Sequence, residues 1–339
     1  ENFYYRGMGG RKPVKAEIEK HYTAKTPNFK VAEYEDFRVM LDKEKAIDAI
    51  LCATPDHAHA YVCVTAMRQG KHAYCEKPLT HNMWESRLVM KVAKEMGVAT
   101  QLGNQGHSGE GIRQTCEWIW DGAIGDVREV HAWTGASRWN KQFISGRPPE
   151  EPLPQGVNWD LWLGPRSNRP YSSAYTPVTW RDYFDFGTAP IGDFFCHNFD
   201  PACWALDLKE PATVEAFGAG GVDKEIAPPG AIYYFTFPAR GKMPPVKFTW
   251  YDGSQMPARP EGLDPDDQLG AGAQPPLGLQ RRQRHDDLVL DLLRRVRPQA
   301  PAQRPHENGV AVLHRQDRDG GRIQMEVDLK SALVRGAGL

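Results

Sequence analysis

Two short apolar runs, a helix apart, constrain this chain most. Ala46-Ile47-Asp48-Ala49-Ile50-Leu51-Cys52-Ala53 leads into Thr54-Pro55-Asp56-His57, and His72-Ala73-Tyr74-Cys75 leads into Glu76-Lys77-Pro78. Between them, 57–69 reads as a helix stopped by Gly70, with Val62, Val64 and Met67 facing inward. Further along, a helix is expected over 82–96, a strand over 98–102 and a helix over 109–120, with shorter helices upstream over 14–25 and 37–41. Such alternation builds a parallel sheet with helices on both faces. After Gly122 the pattern changes. Residues 127–134 alternate like a strand, and strands are expected at 212–219, 230–238 and 245–251 between proline-rich loops. The expected class is α/β, a parallel-sheet domain followed by an α+β domain with a mainly antiparallel sheet. The stretch from Lys141 to Pro190 is long for a connection, and such loops are usually functional.

Lys77 follows a strand end, where parallel sheets open onto their ligand crevice, and Pro78 stiffens the next residue. On spacing alone it reads equally as a solvated surface charge. Downstream, Gly192-Asp193-Phe194-Phe195-Cys196-His197 puts Asp193 and His197 four residues apart, on one face of a helix. A carboxylate beside an imidazole fixes its tautomer and raises its basicity, which suits a proton carrier near neutral pH. The plain alternative is a helix-start carboxylate plus a core histidine. The preceding run, 185–191, is rich in glycine and aromatics and reads as a tight loop delivering the helix start.

Taken together, Glu76-Lys77-Pro78 and Asp193-x-x-x-His197 resemble the signatures of the glucose–fructose oxidoreductase/inositol dehydrogenase (Gfo/Idh/MocA) family, in its bacterial branch. Ala53-Thr54-Pro55-Asp56-His57, Gly103-Asn104-Gln105-Gly106-His107 and Trp162-Leu163-Gly164-Pro165 echo it too, over about residues 30–268. The resemblance implies an incomplete Rossmann-like NAD(P)-binding domain over 1–124, an α+β substrate and oligomerisation domain over 125–268, and an atypical tail over 269–339. It implies NAD or NADP as cofactor, a small sugar or polyol as substrate, and a homo-oligomer in the intact parent. The implied chemistry is hydride transfer between a carbinol carbon and nicotinamide. His197 would be the acid/base, Asp193 would orient it, and Lys77 would hydrogen-bond the reacting oxygen or reach the nicotinamide ribose. Thr54, Pro55 and His57 match a turn approaching the cofactor, or a purely structural turn. Glu76 is assigned to ribose hydroxyls or to capping, and Asn104 and Gln105 to nicotinamide or substrate. His107 stays open. Trp162 and Arg166 match a segment reaching back to the cofactor, with Trp162 equally a core residue. Trp180, Arg181 and Tyr183 are candidates for a sugar pocket. Two other readings stand beside this one: an NAD-dependent glycoside hydrolase working by transient oxidation, and a sugar-binding relative without turnover.

Composition narrows the partners. Lys and Arg number 42 against 43 Asp and Glu, a net charge of −1, so no basic face argues for nucleic acid or an anionic membrane. No run reaches the ~20 apolar residues of a bilayer span. Six cysteines show neither a C-x-x-C pair nor zinc-type spacing, so reduced core residues and no metal are expected. Localisation is not legible. The glycines of 6–11 follow no apolar strand and lack the Gly-x-Gly-x-x-Gly spacing. The family resemblance implies a chain that begins just after the second strand, with weak or absent dinucleotide binding. All 35 aromatic residues lie before position 269, and only Lys330 represents lysine beyond it. A shifted reading frame near 273–287 is the favoured expectation there, a disordered basic tail the other.

Overall fold

A computed structural model of the protein describes residues 3–4, 7–8, 10–135, 145–220, 223–253, 255–259, 309–316 and 322–329. Residues 273–287, on which the frame-shift expectation rests, lie outside them. The chain forms two compact units. The first gathers the described residues up to Gly103 with those of 145–189 and 223–227; the second gathers the rest.

In the first unit, strands β1 (Phe3–Tyr4) and β2 (Gly7–Met8) form a small antiparallel ladder. Helix α1 (Arg11–Thr23) follows, starting three residues before the expected Val14. Pro13 is tolerated because first-turn amides have no intrahelical acceptor. Then come α2 (Phe37–Lys43), β3 (Ala49–Cys52), α3 (Asp56–Met67), β4 (His72–Glu76), α4 (Met83–Met96) and β5 (Thr100–Gly103). Strands β3, β4 and β5 form a parallel three-stranded sheet in that order. Its alternation is strict in β3, where Ile50 and Cys52 are buried while Leu51 is 69% exposed. The covered face packs on α3 and α4 through Ala60, Val64, Met67, Val89 and Val92. Asn82 caps α4 by accepting from the Glu85 amide at 3.0 Å, and Gly97 ends it in the left-handed region at φ 62°. Within the long segment after 144, the short helix α6 (Trp159–Leu163) and two 3-10 turns build an aromatic core of Tyr175, Trp180, Tyr183 and Phe186, joined by Ile226.

The second unit contains α5 (Glu110–Trp120), β6 (Val127–Trp133), α7 (Ala189–Ala205), β7 (Thr213–Gly218), β8 (Ala231–Phe237) and β9 (Val246–Tyr251). Strands β10 (Gly309–Gln316) and β11 (Arg322–Leu329) complete a sheet of order β11-β10-β6-β9-β8-β7. Only the β6–β9 pair is parallel. The mainly antiparallel second sheet therefore stands as expected, its strands β7, β8 and β9 within a residue or so of their sequence-based ranges. Helices α5 and α7 cover it over Val130, Phe248 and Trp250, all fully buried. Among the described residues no helix is long and apolar enough to cross a membrane.

Candidate functional site

Helix α7 has two working faces. Phe195 and Phe199, four residues apart, stack at 4.7 Å, and Phe199 meets Phe248 edge-on at 5.0 Å. With Ala202 and Leu206 they form the stripe that seals the helix onto the sheet. Asn198 fastens it further, donating to the Trp133 carbonyl at 2.7 Å. On another face, Asp193, His197, Asp200 and Trp204 recur at spacings of four, three and four, so they align. Asp193 is 5% exposed, and His197 is half-buried.

The segment 104–108 runs along this second stripe. Asn104 donates to the Cys196 carbonyl, beside His197, at 3.1 Å. A 3-10 turn over Gln105–Ser108 places His107 Nδ1 3.0 Å from both carboxylate oxygens of Asp200, with its ring stacked on Trp204 at 4.3 Å. Gln105 is exposed. Burial holds the Asp200 carboxyl above the usual carboxylate range, against the opposing pull of His107. Asn104 Oδ1 is buried with no hydrogen-bond partner among the described residues, an acceptor that suits a ligand amide or hydroxyl. Four sequence-predicted residues thus share one helix face or its border: Asn104, His107, Asp193 and His197. Asp200 and Trp204 were not singled out in the sequence, although the same helical spacing extended to them.

The remaining candidates belong to the first unit. Thr54 and Pro55 form the turn from β3 into α3, with Pro55 at the helix N-cap. Glu76 ends β4 and Lys77 follows it, both half-buried, and Gly103 on β5 is the register partner of Glu76. A Cβ on Gly103 would come within 2.9 Å of Glu76 Cδ and 3.0 Å of its Cα, so a side chain on this rung would crowd Glu76. His57 is fully buried. Its Nε2 lies 2.8 Å from the Trp162 carbonyl, its Nδ1 3.3 Å from that of Phe186, and its own amide donates to Phe186 at 3.1 Å. Burial pulls its pKa down to about 4, so the neutral ring donates along the shorter contact. The ring N–H is thus committed to the Trp162 carbonyl, and the unprotonated nitrogen faces that of Phe186. Asp56, also buried, accepts from Thr188 Oγ1 at 2.8 Å, so both Asp56 and His57 tie the start of α3 to the 145–189 segment. Trp162 stacks on Trp159 at 4.7 Å, and Arg166 pairs with Glu85 at 2.8 Å. Tyr183 and Trp180 are buried in the aromatic core, which makes them packing residues; the Arg181 guanidinium lies over the Trp180 ring at 4.3 Å. A cleft of about 310 Å³ opens against β3, lined by Asp36, Leu51, Thr54, Tyr61 and Asp160 among others; of the candidate residues only Thr54 reaches it.

Comparison with known proteins identifies the family. Residues 14–104 match the Gfo/Idh/MocA profile described as an oxidoreductase family NAD-binding Rossmann fold, and residues 125–226 match that family's C-terminal alpha/beta domain. The chain belongs to the Gfo/Idh/MocA oxidoreductase family. Among curated Gfo/Idh/MocA relatives, 2,7-anhydro-N-acetylneuraminate hydratase of Escherichia coli is 30% identical over 103 residues, 30% of this chain and 27% of the relative. Levoglucosan dehydrogenase of Pseudarthrobacter phenanthrenivorans is 29% identical over 92 residues, 27% of this chain and 23% of the relative. These matches thus span about a quarter of each relative's length. A solved oxidoreductase domain protein from Kribbella flavida is 22% identical, with a TM-score of 0.47 over 71% of this chain and 56% of that one. The family's Rossmann domain is NAD-binding, as the resemblance implied.

Proposed function

We propose that the protein is an NAD(P)-dependent dehydrogenase or reductase of a sugar or polyol. The observation that carries this reading is the polar stripe of α7, with Asp193 buried one turn before a half-buried His197 and the unpaired Asn104 acceptor beside it. The nicotinamide dinucleotide, when bound, supplies the hydride acceptor or donor. His197 takes the hydroxyl proton in oxidation and returns it in reduction, and Asp193 orients the ring and favours its protonated form. Asn104 binds through its free Oδ1 while its amide stays on the helix backbone. Thr54, Pro55, Glu76, Gln105, Trp162 and Arg166 are the cofactor-side residues of this proposal, with Lys77 assigned to the reacting oxygen on family grounds. His57 then contributes through the segment it holds. Two relatives named for anhydro sugars support including that class among the substrates tested.

The test is formation of reduced nicotinamide by the full chain at millimolar NAD+ or NADP+, over a panel of aldoses, polyols and anhydro sugars. His197→Ala and Lys77→Ala should each lower kcat by roughly 10²–10⁴-fold. Asp193→Asn should lower kcat and move the acid limb of its pH profile. Turnover that survives His197→Ala unchanged, or no nicotinamide-linked turnover across the panel, would overturn the reading.

A further inference from the structure

The core of the first unit brings three metal-ligating side chains together, with a fourth, Cys63, in the same buried cluster. Cys52 on β3 and Cys75 on β4 are register partners in adjacent parallel strands, so their side chains leave the same face of the sheet. Helix α3 covers that face and carries His59 and Cys63, four residues apart and hence on one side. All four are almost fully buried, the cysteines at 2% exposure and the histidine at 1%. The sulfurs of Cys52 and Cys75 and a ring nitrogen of His59 lie within 4.8 Å of one another. Cys63 packs in the same buried cluster as Cys52 and Cys75.

We propose that Cys52, Cys63 and Cys75, with His59 as fourth ligand, bind one thiophilic cation of the zinc class. Three thiols and an imidazole form a closed, tetrahedral-type donor set, and thiolate ligands select soft and borderline cations. The two nitrogens of His59 lie 2.7 Å from the Pro78 and Thr54 carbonyls. A neutral imidazole keeps its one N–H on one of these carbonyls, the usual outer partner of a metal-bound histidine, and turns the lone pair of the other nitrogen to the metal. The thiol protons pass to solvent. Sequence spacing hid this set, because the ligands come from two strands and the helix between them. The proposal is independent of the nicotinamide chemistry, and so is its test.

The full chain, purified under reducing conditions and freed of metal, is titrated with Cd2+ while the thiolate-to-metal charge-transfer absorbance is followed, and zinc content is read by atomic emission after Zn2+ loading and desalting. One ion per chain is expected. Cys52→Ser and Cys75→Ser should each weaken Cd2+ binding at least tenfold, and Cys116→Ser, in the core of the second unit, should bind as the parent does. In the unsubstituted chain, Zn2+ should slow alkylation of Cys52, Cys63 and Cys75 at least tenfold in mild urea, mapped by mass spectrometry, and leave Cys203 unchanged; this arm does not depend on the variants folding. Absence of a stoichiometric thiolate band, binding that survives both serine substitutions, or equal alkylation with and without Zn2+ would overturn the proposal.

Discussion

His57 ties the start of α3 to the 145–189 segment through main-chain carbonyls. Its folded pKa of about 4 lies below the ordinary 6.5. Between those values the unfolded chain binds a proton that the folded one refuses, so acidification favours unfolding. The penalty is absent above pH 6.5 and grows to roughly 3 kcal/mol as pH falls toward 4. Protection factors of the α3 amides, corrected for intrinsic exchange, should therefore fall over that range, and His57→Gln should flatten the dependence. Asp252 in the second unit runs the other way. Burial raises it to about 6, so the folded state holds a proton there that the unfolded chain gives up, and acidification between about 6 and 3.8 is stabilising. Arg166 is a residue of another kind, since its partner Glu85 has only 10% of its side chain exposed. Removing the guanidinium strands that carboxylate. Arg166→Ala should cost about 3–5 kcal/mol in urea unfolding, and adding Glu85→Gln should recover part of it. A double variant no more stable than Arg166→Ala would count against the pair.

At the scale of elements, the parallel strands were legible because each ends in a turn residue and alternates in hydropathy. Ile50 and Cys52 against Leu51 is the clearest case. Helix α7 was legible as a helix because Asp193 and His197 keep helical spacing, yet its sealing face became plain only once Phe195 and Phe199 met Phe248. The segment 145–189 was opaque. Its core is made of aromatic residues at irregular intervals around short 3-10 turns, and periodicity has nothing to register there. Contacts between main chains are also silent in sequence. Gly187 is an example, since a Cβ there would collide with the backbone of Arg181. Gly187→Ala should destabilise by about 1–3 kcal/mol in urea unfolding, because backbone cannot yield as a flexible side chain does. A neutral substitution would show that the turn relaxes.

For the whole molecule, sequence order and spatial order part company. The aromatic core of the first unit takes Ile226 from a stretch that follows most of the second unit's helices, and Glu225 beside it bonds Arg147 and Arg169. A boundary drawn near residue 124 follows the change from alternating helices to strands, and no local signal marks a return of the chain to its first unit. Ile226→Ala should therefore act at a distance in sequence. It should cost about 2–5 kcal/mol and lower exchange protection across 159–186, leaving β8 and β9 unchanged. Losses confined to β8 and β9 would contradict the division.

The two stripes of α7 also set a tolerance on the helix itself. Each residue turns the chain by about 100°, so one residue inserted between Ala189 and Asp193 must either rotate the phenylalanines off their sheet or be absorbed as a bulge before them. The hydrophobic seal thus acts as a keyway: it fixes the angular setting of the imidazole, and point substitutions on the sheet side are felt as misalignment on the other.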